Sequence, residues 1–279
     1  MLYALIMDCI TFENVSFTYP ESETKTPVFS HFSGTIPAGF TSLIGPNGTG
    51  KTTFMMLASG RLVPQEGCCM LFGKNPALLA EEQKNLLASV IYQNMEFEST
   101  QKVEELLSYV YANGAYKGNA KSIRSSQDLF SEVLDVFEIK NVLGHGLTQL
   151  SKGEIQRVLL AFSILYGSAS LFMDEPLFAM EPKQKKSSLA YLREFSEATK
   201  TPVYISMHEL ELTREFANQV LLFYPNRNMD LGTVEEVMTN EALEKAYGVP
   251  ATMLSHSESM TREELQQTAE AILTVQRNA

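Results

Sequence analysis

Gly45-Pro46-Asn47-Gly48-Thr49-Gly50-Lys51-Thr52-Thr53 is the stretch that decides the fold. It satisfies G-x-x-x-x-G-K-[ST] in the required setting, after the apolar run Phe40–Ile44 and before a helical pattern. The glycines Gly45, Gly48 and Gly50, with Asn47 and Thr53 alongside, let backbone N–H groups turn inward as an anion nest. A helix starting near Lys51 adds the positive end of its dipole. In such a loop Lys51 reaches the β- and γ-phosphates of a nucleotide and the Thr52 hydroxyl coordinates Mg²⁺, so the expected ligand is Mg·ATP.

Working outward, short β-branched apolar runs alternate with longer helical patterns, which predicts an α/β domain with a largely parallel sheet. The runs 40–44, 88–92, 169–173 and 203–207 are each followed by polar or glycine-rich residues. Ligands gather at the carboxyl ends of strands in open sheets, so the site is expected at these four exits. The third of these exits is acidic. Ser170-Leu171-Phe172-Met173-Asp174-Glu175-Pro176 is an apolar strand ending in two carboxylates. Asp174 suits the Mg²⁺ position opposite the loop, and Glu175 is placed to orient or deprotonate an attacking water.

Between residues 94 and 149 the pattern turns helical and polar, with helices expected over 103–111 and 127–137 and a Gly/Asn/Lys-rich joint at 113–121. This reads as a helical subdomain inserted into the sheet domain. Next comes Leu150-Ser151-Lys152-Gly153-Glu154, where Ser151 and Glu154 have capping-box spacing and Gly153 permits close backbone approach, a second device for holding phosphate. Thr233…Glu236 and Thr261…Glu264 repeat the capping-box spacing in a glutamate-rich tail, residues 232–279.

The ordered set resembles the ATP-binding cassette (ABC) ATPases over residues 11–231, which implies a phosphate-loop NTPase sheet domain with an inserted helical subdomain and a short helical C-terminal tail. On that resemblance Tyr19, in Phe17-Thr18-Tyr19-Pro20, matches the adenine-stacking aromatic. Gln93 matches the glutamine that touches Mg²⁺ and water, and His208, in Ser206-Met207-His208-Glu209, the histidine at the γ-phosphate. The resemblance implies head-to-tail pairing of two copies, with Ser151 and Gly153 acting across the two-fold interface. Lys51, Thr52, Asp174 and Gln93 would then hold Mg·ATP within one chain, with Glu175 and His208 as catalytic groups. Two departures stand out. The family's signature usually reads Leu-Ser-Gly-Gly-Gln, where this chain has Lys152 and Glu154, and its next loop usually ends in Leu-Asp, where this chain has Met180 and Glu181.

A motor of this kind needs a receiver, and the resemblance implies separate integral membrane subunits, an extracytoplasmic binding protein and a place on the cytoplasmic face of the cell membrane. The tail from Gly232-Thr233 to Tyr247-Gly248-Val249-Pro250 is similar to that of importers of iron–siderophore, haem, cobalamin and metal complexes; a generic acidic helix is its other reading. A soluble ABC ATPase of iron–sulfur assembly is the alternative function.

Composition narrows the remainder. A formal net charge of -11 argues against a broad basic face for nucleic acid. No apolar run approaches the roughly 20 residues that a bilayer span requires. Cys9, Cys68 and Cys69 form neither a disulfide nor a zinc pattern and are expected as small hydrophobes. The apolar start before Met7 lacks a basic region and a cleavage site, so Met7 is the expected true start.

Overall fold

A computed structural model of the chain describes residues 8–21, 26–93, 95, 101–125, 127–251 and 253–254. Two sheets organise it. The strands β1 (Asp8–Phe17), β2 (Phe29–Pro37) and β4 (Glu66–Leu71) form an antiparallel sheet in the order β2-β1-β4. The larger sheet runs β5-β6-β7-β3-β8-β9, from β3 (Phe40–Ile44), β5 (Ala88–Ile91), β6 (Ser170–Asp174), β7 (Val203–Ser206), β8 (Gln219–Phe223) and β9 (Met229–Gly232). Its strands are parallel from β5 through β8, and β9 returns antiparallel along β8.

β3, β6 and β7 are buried at every position, which explains their near-continuous apolar sequences: a parallel strand covered on both faces has no solvent side to alternate with. The register is what builds the site. Leu43 pairs with Ser206, and Ser206 in turn with Asp174, so the last residues of β3, β7 and β6 arrive at one edge of the sheet.

The sequence placed the acidic strand over 169–173. It runs one residue later, because Asp174 keeps its ladder partner Ser206 and so closes the strand instead of opening the turn. The strands expected over 88–92 and 203–207 each end one residue earlier, at Ile91 and Ser206.

Helix α1 (Lys51–Ala58) leaves the glycine loop and packs Phe54, Met55 and Leu57 under the small sheet, against Ile10, Phe12, Val15 and Phe17. The Phe12 and Phe54 rings lie 4.7 Å apart. Truncating either ring to alanine would cost about 3–5 kcal/mol. The short α2 (Glu81–Leu87) leads into β5.

Between β5 and β6 come α3 (Val103–Asn113), α4 (Leu129–Val136) and α5 (Lys152–Tyr166). α4 starts two residues later than its pattern suggested, because Asp128 caps it by accepting the Ser131 N–H at 2.7 Å. Leu107, Val110, Leu129 and Val133 from these helices share one apolar core with Leu171, Val203 and Ile205 of the sheet. α6 (Pro182–Thr199) and α7 (Leu210–Phe216) link β6, β7 and β8, and α8 (Val234–Val237) and α9 (Asn240–Tyr247) follow β9. α8 has the expected capping box between Thr233 and Glu236; the one expected at Thr261 and Glu264 lies outside the described residues, as does Met7. The three cysteines are free. Among the described residues no helix is long and apolar enough to cross a membrane.

Candidate nucleotide site

The glycine loop leaves β3 at Gly45, whose φ of +136° is a glycine conformation, and a Cβ there would lie 2.4 Å from the Phe223 carbonyl oxygen. Strand β8 therefore runs against the start of the loop too closely for any side chain. Lys51, at the first turn of α1, is buried and folds back to donate to the carbonyls of Gly45 at 2.7 Å and Pro46 at 3.0 Å. Burial lowers its pKa, an effect partly opposed by the nearby charges of Glu175 and Asp174.

Beyond the lysine, the Thr52 hydroxyl donates to Asp174 Oδ2 at 2.5 Å, and the Ser206 hydroxyl donates to Asp174 Oδ1 at 2.5 Å. Both carboxylate oxygens of a buried aspartate are thus satisfied. Ser206 also accepts the Glu175 N–H at 2.9 Å. That bond holds Glu175 in the left-handed region at φ +49°, uncommon for a side-chain-bearing residue, and turns its carboxylate out of the sheet edge. There Oε2 accepts from Gln93 Nε2 at 2.9 Å, and Oε1 lies 2.5 Å from His208 Nε2. The exits of β5, β6 and β7 therefore meet on one carboxylate.

A cleft of about 520 Å³ opens over these groups, a volume suited to a drug-sized ligand. It is lined by Tyr19, Asn47, Gly48, Gly50, Lys51, Thr52, Thr53, Gln93, Asp174 and Glu175, together with Thr26, Val28 and Arg227. Tyr19 stands at its rim, edge-on to Phe17 with ring centres 5.0 Å apart, its hydroxyl 3.0 Å from Thr53 Oγ1. His208 lies beyond Glu175 in a second, smaller pocket.

Ser151 and Gly153 line neither pocket. Ser151 caps α5, and its hydroxyl donates to Glu154 Oε2 at 2.7 Å while the Ser151 N–H donates to the same oxygen at 2.8 Å. Those two bonds, the hydroxyl's the larger, hold the Glu154 pKa below the carboxylate norm. The departure at Glu154 thus serves the helix cap. Gly153 is pressed beneath the turn after Glu175: a Cβ would lie 2.6 Å from the Ala179 carbonyl oxygen. Met180, the other departure, is buried in the main core, so an apolar residue fits there.

Besides Thr26 and Val28 in the cleft lining, Ser206, Arg227 and Tyr247 went unmarked by sequence reasoning. Ser206 had been quoted only for its neighbour His208, and its role follows from strand register. Arg227, in the turn between β8 and β9, donates to the Gly48 carbonyl. Tyr247, at the end of α9, accepts the Gly45 N–H at 3.0 Å. No local pattern flags the last two.

The donor set at Thr52 and Asp174 is hydroxyl and carboxylate oxygen, with the Gln93 amide close by, which fits Mg²⁺: a hard cation bound through one or two protein oxygens, substrate phosphates and water.

The family model for ABC transporters matches residues 29–178, more than half of the chain. The chain belongs to the ABC transporter family. It is an ATP-binding domain of that family, with the α/β architecture of its solved cassettes. Among its relatives is the hemin import ATP-binding protein HmuV of Rhizobium meliloti, 29% identical over 221 residues that span 76% of this chain and 82% of the relative. Another is the energy-coupling factor transporter ATP-binding protein EcfA3 of Oenococcus oeni, 27% identical over 242 residues, 84% of this chain and 82% of the relative. In fold, this ABC domain is similar to a dimeric ATP-binding cassette solved after hydrolysis with ADP and Pi, at a TM-score of 0.66 and 19% identity, covering 81% of this chain and 98% of that one.

Proposed function

We propose that the chain hydrolyses Mg·ATP as the motor subunit of an importer whose membrane-spanning parts are separate proteins. The observation that carries this is the Glu175 carboxylate, held between Gln93 and His208 at the mouth of the phosphate loop and one residue beyond the Asp174–Thr52 pair. In this reading the Lys51 ammonium leaves the Gly45 and Pro46 carbonyls for the β- and γ-phosphates. Tyr19 stacks on the base, and Asn47, Gly48, Gly50 and Thr53 line the phosphate path. Mg²⁺ would be held by Thr52, Asp174 and Gln93, and its charge would neutralise that developing on the phosphates. Glu175 orients the attacking water and receives its proton, and His208 fixes that carboxylate and the γ-phosphate side of the cleft.

Ser151 and Gly153 do not line their own chain's cleft, and we assign them to the γ-phosphate bound by a second copy turned head to tail; a dimeric fold neighbour supports the pairing of two copies. We assign the motor to residues 11–231, the docking face for membrane subunits to Gln93 and residues 94–149, and an accessory role to residues 232–279. Relatives named for import of hemin and of methionine support the direction of transport. We assign the chain a cytoplasmic position against the membrane, with an extracytoplasmic binding protein upstream. The cargo is a small solute of the iron-complex, haem, cobalamin or metal class.

The test is Mg²⁺-dependent ATPase activity of the purified chain beside Glu175→Gln, with size-exclusion chromatography of both in ATP. Turnover in the wild type, its loss in the variant and an ATP-dependent dimer of the variant are expected. A chain that binds no ATP overturns the reading.

A further inference from the structure

We infer that Tyr247, on the C-terminal extension, is a positioning residue for the phosphate loop, and that docking of α9 and nucleotide binding are therefore linked. The inference rests on the ATP-binding reading above and concerns residues which that reading leaves in an accessory role.

The segment from β8 to α9 touches the loop at three points. The Phe223 carbonyl abuts Gly45 so closely that a Cβ would lie 2.4 Å away. Arg227 donates to the Gly48 carbonyl. The Gly45 N–H, 202 residues away in sequence, donates to the Tyr247 hydroxyl at 3.0 Å. The extension is firmly seated where it makes this bond. Leu243 and Ala246 of α9 are buried in a core shared with Ile44, Val220 and Leu222, so the helix packs on the residue that immediately precedes the loop. Thr239 caps the start of α9, Gly248 ends it in the left-handed region, and Arg214 donates to the Met238 carbonyl at 2.9 Å, fixing the α8–α9 joint to α7.

Gly45 is where this seating meets the chemistry. Its N–H is held by Tyr247 and its carbonyl accepts the Lys51 ammonium, so the hydroxyl sets the orientation of the first peptide of the loop and, through it, of the carbonyl that competes with phosphate for Lys51. A part-buried N–H that loses its acceptor must find another. Turning toward it pulls the loop out of the phosphate-ready shape. Nucleotide must then reverse that movement, which reduces apparent affinity by the fraction of loops still competent. Linkage makes the effect reciprocal: nucleotide that needs the ordered loop also favours docked α9.

The experiment compares the full-length wild type, Tyr247→Phe and Tyr224→Phe. The last removes a hydroxyl of the same segment that bonds Asp230 instead of the loop. Mg·ATP and ADP affinities are measured by calorimetry, KM and kcat by steady-state turnover, and melting temperature without nucleotide. For Tyr247→Phe, ATP and ADP binding weaken by about three- to tenfold, the scale of one hydrogen bond, and KM rises by a similar factor with kcat within twofold. Tyr224→Phe binds as the wild type does. In the wild type, Mg·ATP slows amide hydrogen exchange over residues 243–247.

Equal affinities of Tyr247→Phe and wild type, with only a lower melting temperature, would make the hydroxyl merely structural and overturn the inference. So would equal weakening in both variants, or exchange over 243–247 that ignores ATP. Failure of the wild type itself to bind ATP refutes the functional reading, and the inference falls with it.

Discussion

Ser206→Ala deletes a single oxygen with two duties in a position of no measurable exposure. That oxygen donates to Asp174 Oδ1 at 2.5 Å and accepts the Glu175 N–H at 2.9 Å. Hydrogen bonds to charged groups contribute about 1.5–3 kcal/mol, and an orphaned buried N–H costs about 1–3 kcal/mol. The two losses share one site and some relaxation, so the net destabilisation is about 2–4 kcal/mol. In a chain of this size that lowers the melting temperature by roughly 3–7 °C. The chemical effect is separable. Glu175 sits at φ +49°, and loss of its N–H partner frees that end of the residue, so its carboxylate drifts from Gln93 and His208. A misplaced water-orienting carboxylate lowers kcat by about 10–100-fold, or about 1.4–2.7 kcal/mol. The loop itself is untouched, so ATP affinity stays within about threefold on the same scale. Thermal unfolding by circular dichroism, steady-state ATPase assays and nucleotide titration read the three quantities independently. A variant that melts within a degree of wild type and keeps half its turnover would refute the account of Ser206, whatever the fate of the wider functional reading.

Glu132→Gln tests the anchoring of α4. Burial alone would raise the Glu132 pKa, but bonds from the Ser122 and Tyr191 hydroxyls and the N–H groups of Arg124 and Ile123 outweigh it and hold the carboxyl below its ordinary value of 4.5. A lowered folded-state pKa means stability that is fully present above pH 4.5 and lost as the pH falls through the folded value. Urea unfolding at pH 7 should therefore show the variant less stable by about 1–2 kcal/mol, with the gap closing in acid below pH 4.5; a gap unchanged there would contradict this assignment. Gly153→Ala places a methyl 2.6 Å from the Ala179 carbonyl oxygen and must displace the turn after Glu175. Turnover should fall at least about tenfold while ATP binding by the isolated chain changes less than about twofold, and wild-type turnover would show that this close approach has no role.

What sequence could disclose was local. The phosphate loop, the strand that precedes it and the capping boxes at Ser151 and Thr233 are each legible within about ten residues, because glycine conformations, N-caps and buried strands impose short patterns. Ser206, Arg227 and Tyr247 were not legible, because their partners lie 32, 179 and 202 residues away. The role of Ser206 exists only once β6 pairs with β7, and those of Arg227 and Tyr247 only once β3 lies between β7 and β8, a strand order that local propensity does not encode. Asp128 is a different failure. An aspartate followed by an apolar helical run is a readable N-cap, and starting the helix at 127 overlooked it.

The site divides by burial into two layers with different constraints. Asp174 and Ser206 lie at 4% and 0% exposure, locked by strand register and by each other. Glu175 and His208 have side chains 15% and 43% exposed, and each leaves the sheet on a separate strand exit. The outer-layer side chains of Gln93, Glu175 and His208 bond one another, whereas the inner layer belongs to the β6–β7 ladder itself. Substitutions in the inner layer should therefore lower melting temperature and turnover together, and those in the outer layer should lower turnover alone. The plot of one against the other across Asp174, Ser206, Glu175, Gln93 and His208 variants would then fall into two groups, and a single line through all five would show that the layers are not physically distinct.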